Sequence, residues 1–316
     1  MPAGTTQAPA EFAAPWGARG YVTDLDGPVH WIEFGAGPNA GAGAPPFVFV
    51  HGLGGSHLNW TLVGPQLAAD RHAVALDLRG FGLTPGDRRT ATVQRNAALL
   101  DRFVREVVGA PAIVIGNSMG GLLAVLHAHA HPDAVAGLVL IDPALPPPRG
   151  RPDLRVVSQF LLYAMPGLGE MYLKRMQSRL PPRQLVQGVI ELCFADPARA
   201  DPEMLAASVA LAADRIRMAG RDESFLAASR SLMRVVGQSH GYWGMMAGIR
   251  APVLLIGGDA DRLVPVASIR NAGSRNPGWD TVVLAGVGHT PQLETPQLVV
   301  DAVQAWLRRH FTPSAG

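Results

Sequence analysis

Cysteine and lysine are almost missing from this chain. Cys193 is the sole cysteine, so no intrachain disulfide can form and a reducing, cytoplasmic compartment is the default expectation. Within Val189-Ile190-Glu191-Leu192-Cys193-Phe194 the thiol reads as a small buried hydrophobe rather than a nucleophile. Lys174 is the only lysine, and the net charge is +2 with 16% charged residues. That balance gives no case for a nucleic-acid partner. No run approaches the roughly 18 apolar residues of a transmembrane helix. Residues 1–20 have neither the basic start nor the apolar stretch of a secretory signal, and read as a flexible leader. With 48% hydrophobic residues in 316, the chain has the composition to bury a large core.

What is present is a series of short apolar runs that end in glycine-rich, polar turns. Phe47-Val48-Phe49-Val50, Ala73-Val74-Ala75-Leu76, Leu138-Val139-Leu140-Ile141 and Val253-Leu254-Leu255-Ile256 have no polar face. That is the pattern of interior strands in a parallel sheet. Alternation over Tyr21–Glu33, broken by Asp26-Gly27, predicts a hairpin. The stretch Thr92–Val108 carries Val93, Ala97, Leu100, Phe103, Val104 and Val107 at helical spacing, with Thr92 as N-cap. Residues 146–248 change character. Proline-rich joints there separate helical patches, including Leu154–Tyr163, Met171–Arg179, Gln184–Phe194, Met204–Ile216 and Glu223–Val236, with 13 basic against 9 acidic residues.

The most informative stretch is Ala112–Leu123, A-I-V-I-G-N-S-M-G-G-L-L. A buried strand, a sharp turn and a helix form the context of the G-x-S-x-G nucleophile elbow. Gly116 and Gly120 remove side chains that would collide in so tight a turn. Ser118 then presents its hydroxyl at the C-terminal edge of the sheet. The backbone N–H of Met119 and that of Leu53, in the turn His51-Gly52-Leu53-Gly54-Gly55, are candidate oxyanion donors. His51 reads as a residue that holds this turn by hydrogen bonds. Asp77 and Arg79 read as a structural ion pair. Of His127, His129 and His131, the first and last share a helix face, which is a weak metal signal.

A serine needs a hydrogen-bonded base, and the base needs a carboxylate to fix its tautomer. His289 and Asp261 both follow apolar strands, so with Ser118 they can converge along one sheet edge. Asp259, two residues earlier, competes with Asp261 for the role of the acid.

H-G-L-G-G at 51–55, D-L-R-G-F-G at 77–82, G-N-S-M-G-G at 116–121, G-D-A-D-R-L-V-P at 258–265 and G-V-G-H at 286–289 occur in this order. On these five motifs the sequence resembles the α/β-hydrolase superfamily from about Val22 to Phe311. The resemblance implies an α/β-hydrolase fold, a mostly parallel central sheet flanked by helices, with a core over 21–145 and 249–313. It implies a helical cap or lid over 146–248 and a triad of Ser118, Asp261 and His289. Asp142 also competes for the role of the acid, by resemblance to members that draw it from the strand after the elbow. Epoxide hydrolases and haloalkane dehalogenases of the superfamily use an aspartate nucleophile, which Ser118 argues against. The meta-cleavage C–C hydrolases share the elbow but typically carry tryptophan where this chain has Thr290. What remains is a serine esterase or short- to medium-chain lipase, with C–C hydrolysis, thioesterase or acyltransferase activity and non-catalytic ligand binding as alternatives. No metal or organic cofactor is implied. The partner is a small-molecule acyl ester, with Gly52, Tyr163, Met165, Tyr242 and Trp243 as candidate pocket residues, and a homodimer is left open.

Overall fold

The apolar runs of the sequence become neighbouring strands. A computed structural model describes residues 4–8, 12–35, 43–146, 158 and 162–311. Among them are nine strands: β1 (Thr5–Ala8), β2 (Ala18–Asp24), β3 (Pro28–Phe34), β4 (Phe47–Val50), β5 (Ala73–Leu76), β6 (Ala112–Asn117), β7 (Val135–Ile141), β8 (Val253–Gly258) and β9 (Asp280–Leu284). They lie in one sheet in the order β1-β2-β3-β5-β4-β6-β7-β8-β9. From β5 to β9 neighbouring strands run parallel, while β1, β2 and β3 add antiparallel pairings at one side.

The two-residue period of a strand explains why these runs are apolar throughout. Val48, Val50, Val74, Leu76 and Val114 face one buried cluster. Phe47, Phe49, Ala73, Ala75, Ile113 and Ile115 face another on the opposite side. Each successive side chain therefore enters a different helical layer. Burying one such Val, Ile or Phe contributes roughly 1.5–3 kcal/mol.

The helices are α1 (Gly64–Leu67), α2 (Val93–Arg102), α3 (Met119–Ala130), α4 (Leu168–Arg179), α5 (Pro182–Cys193), α6 (Pro202–Arg215), α7 (Arg221–Gly237), α8 (Ser239–Ala247), α9 (Val266–Arg275), α10 (Pro291–Glu294) and α11 (Pro296–His310). Thr92 caps α2, its hydroxyl accepting from the Arg95 N–H at 3.3 Å. The chain steps from β4 to β5 on one side and then to β6 on the other. The crevice between the C-terminal ends of β4 and β6 is thus a topological switch point, where open α/β sheets bind ligands.

The hairpin forms as β2–β3, with Asp26 and Gly27 in the left-handed region at φ 61° and 110°. Three expectations are corrected. The leader is not wholly flexible, because Thr5–Ala8 pairs antiparallel with Gly20–Thr23 and Ala14–Trp16 forms a helical turn. The sheet's free edge supplies hydrogen-bond partners that a local sequence pattern does not reveal. The insertion expected up to residue 248 is not separate from the core, because Ala228 and Leu232 of α7 and Tyr242 and Met246 of α8 share the buried cluster of α2 and α3. Much of the patch Leu154–Tyr163 lies outside the described residues.

The third correction concerns Asp77, which makes no pair with Arg79. Arg79 turns outward to the carbonyls of Leu25 and Asp26. Asp77, fully buried, accepts from the ring Nδ1 of His30 (2.8 Å) and of His57 (2.9 Å), and from the backbone N–H groups of His57 (2.7 Å) and Leu83 (2.8 Å). Burial disfavours its charge, but the attraction of His57 and the hydrogen bonds from both imidazoles outweigh burial and hold it well below the usual carboxylate range. A side chain at Gly82 would run into this carboxylate, which accounts for the second glycine of D-L-R-G-F-G. Arg215 of α6 caps the same loop, donating to the carbonyls of Gly82 (2.6 Å) and Gly80 (2.8 Å).

Removing the Asp77 carboxylate strands two buried imidazoles. Asp77→Ala is expected to lose about 3–5 kcal/mol of stability at neutral pH, read by urea unfolding. Because the folded pKa lies below the unfolded one, the carboxylate's contribution is complete above the ordinary carboxylate pKa and disappears as pH falls through the folded value. The gap between wild type and variant should therefore narrow below about pH 4.

Candidate active site

Ser118 occupies the turn between β6 and α3 with φ 54° and ψ −118°, a backbone conformation unusual for a residue with a side chain. Close packing imposes it. A Cβ at Gly120 would collide with the Val50 carbonyl, and one at Gly116 with the carbonyl of Gly120. The turn is pinned from both ends: Ser118 N–H donates to Ile141 O (3.1 Å), and Ser118 O accepts from Ala144 N–H (2.9 Å) and Leu122 N–H (3.1 Å). Ser118 stays partly exposed while Asn117 and Met119 are buried.

The opposite wall is the turn after β4. His51 donates from Nδ1 to Gly52 O at 2.8 Å and accepts at Nε2 from Leu78 N–H at 3.1 Å. Complete burial, only partly offset by the charge of Asp77, lowers its pKa to about 4, so the ring is neutral and held as one tautomer. It fastens the turn as the sequence predicts. Gly52 then lies directly against the elbow, a Cβ there falling 3.0 Å from Ser118 Cβ. The N–H groups of Leu53 and Met119 flank the serine and have no hydrogen-bond partner among the described residues. For Met119 this follows from its place at the start of α3.

His289 and Asp261 meet at this edge. His289 Nδ1 lies 2.6 Å from Asp261 Oδ2, and both residues are buried. The other carboxylate oxygen accepts from Leu263 N–H (2.6 Å) and Val264 N–H (3.0 Å), which fixes its angle. Of the competing acids, Asp259 is exposed and accepts from Gly286 N–H at 2.7 Å, tying one turn to the next. Asp142 is fully buried, accepts from Gly258 N–H at 3.1 Å and hydrogen-bonds to the side chain of Asp261. Burial, then the charge of Asp261, push the Asp142 carboxyl well above the usual range. Asp142 is therefore a buried hydrogen-bonding neighbour of Asp261.

Two residues not singled out in the sequence hold His289. Asn117 Nδ2 donates to His289 O and to Ile141 O, each at 3.0 Å, joining elbow and histidine loop. Glu294 is buried and gathers the N–H groups of Gly288 (2.7 Å), Asp196 (3.0 Å) and Ala195 (3.1 Å), with Arg199 at 3.2 Å. The His289 N–H itself donates to Cys193 O at 2.6 Å. The end of α5 is thus fastened to the histidine loop. Burial and the nearby charge of Asp261 push the Cys193 thiol up to about 12, so it stays protonated.

The expected pocket residues separate into two groups. Tyr163 is buried and packs edge-on against Phe225 with ring centroids 5.2 Å apart, and Phe225 is the neighbour a Cβ at Gly54 would meet at 3.4 Å. Tyr163 therefore borders the Leu53–Gly54 side, and Met165 beyond it is exposed. Tyr242 and Trp243 do not border the site. Tyr242 is buried among the core helices. Trp243 lies beneath the Arg275 guanidinium, 5.0 Å from its ring centre, at the C-terminal end of α9. That end faces the opposite edge of the sheet from Ser118. Their helix α8 belongs to the core, so aromatic content alone misplaced them.

The two histidine clusters among the described residues make other contacts. His127 is buried and packs near His131, but His129 is exposed and Arg105 lies 3.4 Å from the His131 ring. His30, His57 and Asp77 offer three ligand atoms within 4.8 Å of one another. Both Nδ1 atoms and both carboxylate oxygens there are already used in hydrogen bonds.

A mostly parallel sheet with a strained serine turn at its switch point, and a histidine–aspartate pair at the same sheet edge, defines a doubly wound α/β protein. A family model described as the alpha/beta hydrolase family matches residues 47–302, and the chain belongs to that family. Among curated relatives, the dihydrolipoyllysine-residue acetyltransferase component of an acetoin cleaving system from Pseudomonas putida is 27% identical over 314 residues, spanning 95% of this chain and 75% of that protein. A monoacylglycerol lipase from Mycolicibacterium smegmatis is 28% identical over 253 residues, covering 77% of this chain and 80% of the relative. The haloalkane dehalogenase structure from Agrobacterium tumefaciens C58 superposes with a TM-score of 0.76 at 19% identity, over 92% of this chain and 97% of that one. That likeness establishes the fold alone. No helix among the described residues is long and apolar enough to cross a membrane.

The close packing at the elbow is directly testable. Gly120→Ala should cost at least about 3 kcal/mol or prevent folding, because backbone atoms must move. Gly188→Ala, in an open stretch of α5 with nothing within 4 Å, should stabilise by about 0.5–1 kcal/mol. Thermal unfolding of the two variants should move in opposite directions.

Proposed function

We propose that this protein is a serine hydrolase that cleaves carboxylic esters through an acyl-enzyme at Ser118. The observation that carries the reading is the 2.6 Å contact between His289 Nδ1 and Asp261 Oδ2, on the same sheet edge as the strained Ser118 turn. With Nδ1 committed to Asp261, Nε2 is the ring nitrogen left to accept the Ser118 proton. Ser118 Oγ attacks the ester carbonyl. The oxyanion is held by the N–H groups of Leu53 and Met119, each such donor being worth roughly 2.7–4 kcal/mol in the transition state. His289 returns the proton to the departing alcohol, and water, deprotonated by His289, then releases the acid from Ser118. Asp142, hydrogen-bonded to Asp261, helps hold that carboxylate opposite the transient imidazolium. No step requires a metal or an organic cofactor. The helices α4–α6 are read as a lid, with Tyr163 and Phe225 forming the acyl or alcohol pocket beside Leu53.

The monoacylglycerol lipase relative supports an ester substrate. The acetyltransferase relative leaves acyl transfer and thioester cleavage as a competing chemistry of the same serine.

Single-turnover release of p-nitrophenol from acetate, butyrate and octanoate esters tests this directly. Wild type should give a burst of one equivalent, and Ser118→Ala none. Asp261→Asn should slow acylation by about 10⁴-fold through loss of the correct tautomer. Absence of a burst in wild type would overturn the ester reading. Faster turnover of thioesters or of a vinylogous diketone would move it to the acyl-transfer or C–C hydrolase alternatives.

A further inference from the structure

The apolar side chains that the fold leaves outside are concentrated in one place. Six of the eight large ones most exposed among the described residues fall between residues 165 and 216. Met165, Leu168, Met171, Leu180 and Val189 lie along α4, α5 and the adjoining turns, with Met171 62% and Val189 57% exposed. The helices themselves are well seated. Leu173 and Met176 of α4 pack on Tyr163, Phe225 and Leu226, and Ile190 and Cys193 of α5 pack on Phe194, Met204 and Leu293. Among the exposed residues of α4, Leu168, Met171 and Arg175 stand at positions i, i+3 and i+7 in one stripe.

The charges on this surface are mostly of one sign. Residues 171–190 hold Lys174, Arg175, Arg179 and Arg183 and no acidic residue. All four are exposed. Two acids flank them: Glu170, exposed but paired with Arg230 at 3.0 and 3.2 Å and bonded to its own helix start through Gly167 N–H at 2.8 Å, and Glu191, exposed near the end of α5. Exposed apolar side chains interspersed with cations in a helix pair make up the composition that lies in a lipid headgroup layer. The position is equally telling. On one side α4 reaches the oxyanion turn through Tyr163, Phe225 and Gly54. On the other side α5 ends at the Cys193 carbonyl that receives the His289 N–H. The segment therefore spans the two walls of the candidate active site.

We propose that the outer face of α4–α5 is a docking surface for an anionic lipid layer, with the cations on the headgroups and Leu168, Met171 and Val189 among the upper acyl chains. The docking stands on its own. That the layer delivers a lipid ester to Ser118 rests on the function proposed above. An acidic protein partner would also answer the cations. The apolar side chains favour lipid, because they stand out singly along some twenty residues rather than as one concave patch, and a fluid layer accepts dispersed insertion.

Sedimentation of the purified full chain with vesicles of phosphatidylcholine, alone or doped with phosphatidylglycerol, tests the proposal. Wild type should bind the anionic vesicles about tenfold or more tightly than the zwitterionic ones, with the preference collapsing at high salt. Arg175→Glu with Arg179→Glu should abolish the preference, and Met171→Ser should weaken binding, while both variants hydrolyse soluble p-nitrophenyl butyrate at the wild-type rate. Ser118→Ala should bind vesicles as wild type does. Failure of wild type to bind anionic vesicles overturns the proposal, as does a double charge reversal that binds unchanged. Capture of an acidic carrier protein with no vesicle binding overturns it too. Vesicle binding without any ester hydrolysis sinks the enzymatic reading alone.

Discussion

Everything at this site depends on how closely a helix is allowed to approach the ends of two strands. α3 begins where there is no space for a methyl group between its first turn and the carbonyl that ends β4. The consequence is geometric. The serine is driven into a left-handed conformation, its hydroxyl is lifted clear of the sheet, and the first N–H groups of the helix are left beside it. Polar groups that a loop would scatter are thereby collected within a few ångströms. The strain is sustained by the packing of two buried helical layers, each fed by alternate side chains of the same strands.

Two fully buried aspartates at the same sheet edge illustrate how environment, not residue type, decides charge. Asp77 is surrounded by four donors and stays ionised despite complete burial. Asp142 has a backbone donor and another carboxylate as neighbours, and keeps its proton. Burial acts in the same direction on both, and the neighbours reverse the outcome. Asp77 organises the loops around His30, His57 and Leu83, which brace the turn carrying Leu53. Asp142 steadies Asp261. One carboxylate therefore builds the scaffold and the other braces the partner of the histidine.

The parallel sheet was legible because its interior strands lack a polar face, and the elbow because three glycines surround a serine after such a strand. The meeting of Asp261 with His289 followed from their places beyond successive strand ends. Less was visible where long-range contacts decide. Thr5–Ala8 looks like linker until β2 offers its edge. Asp77 and Arg79 look like a pair because they are close in sequence, yet successive turns send them to opposite sides. Tyr242 and Trp243 look like pocket aromatics, but α8 is drawn into the core by Tyr242 and Met246. Glu294 carries no local sign of its work, since three of its four partners come from one distant segment, 195–199.

The knot between the histidine loop and the end of α5 makes the helical insertion more than a removable roof. The carbonyl of Cys193 and the amides of Ala195 and Asp196 are shared with the loop that positions the imidazole, through one hydrogen bond and one buried carboxylate. The insertion is in this sense a structural part of the His289 loop. A homologous insertion transplanted without the turn at 193–196 would bring a new pocket and leave the imidazole unmoored. On the function proposed above, substrate range and proton transfer would be inherited together, and changes confined to α4, which touches the other wall, would be the ones free to vary independently.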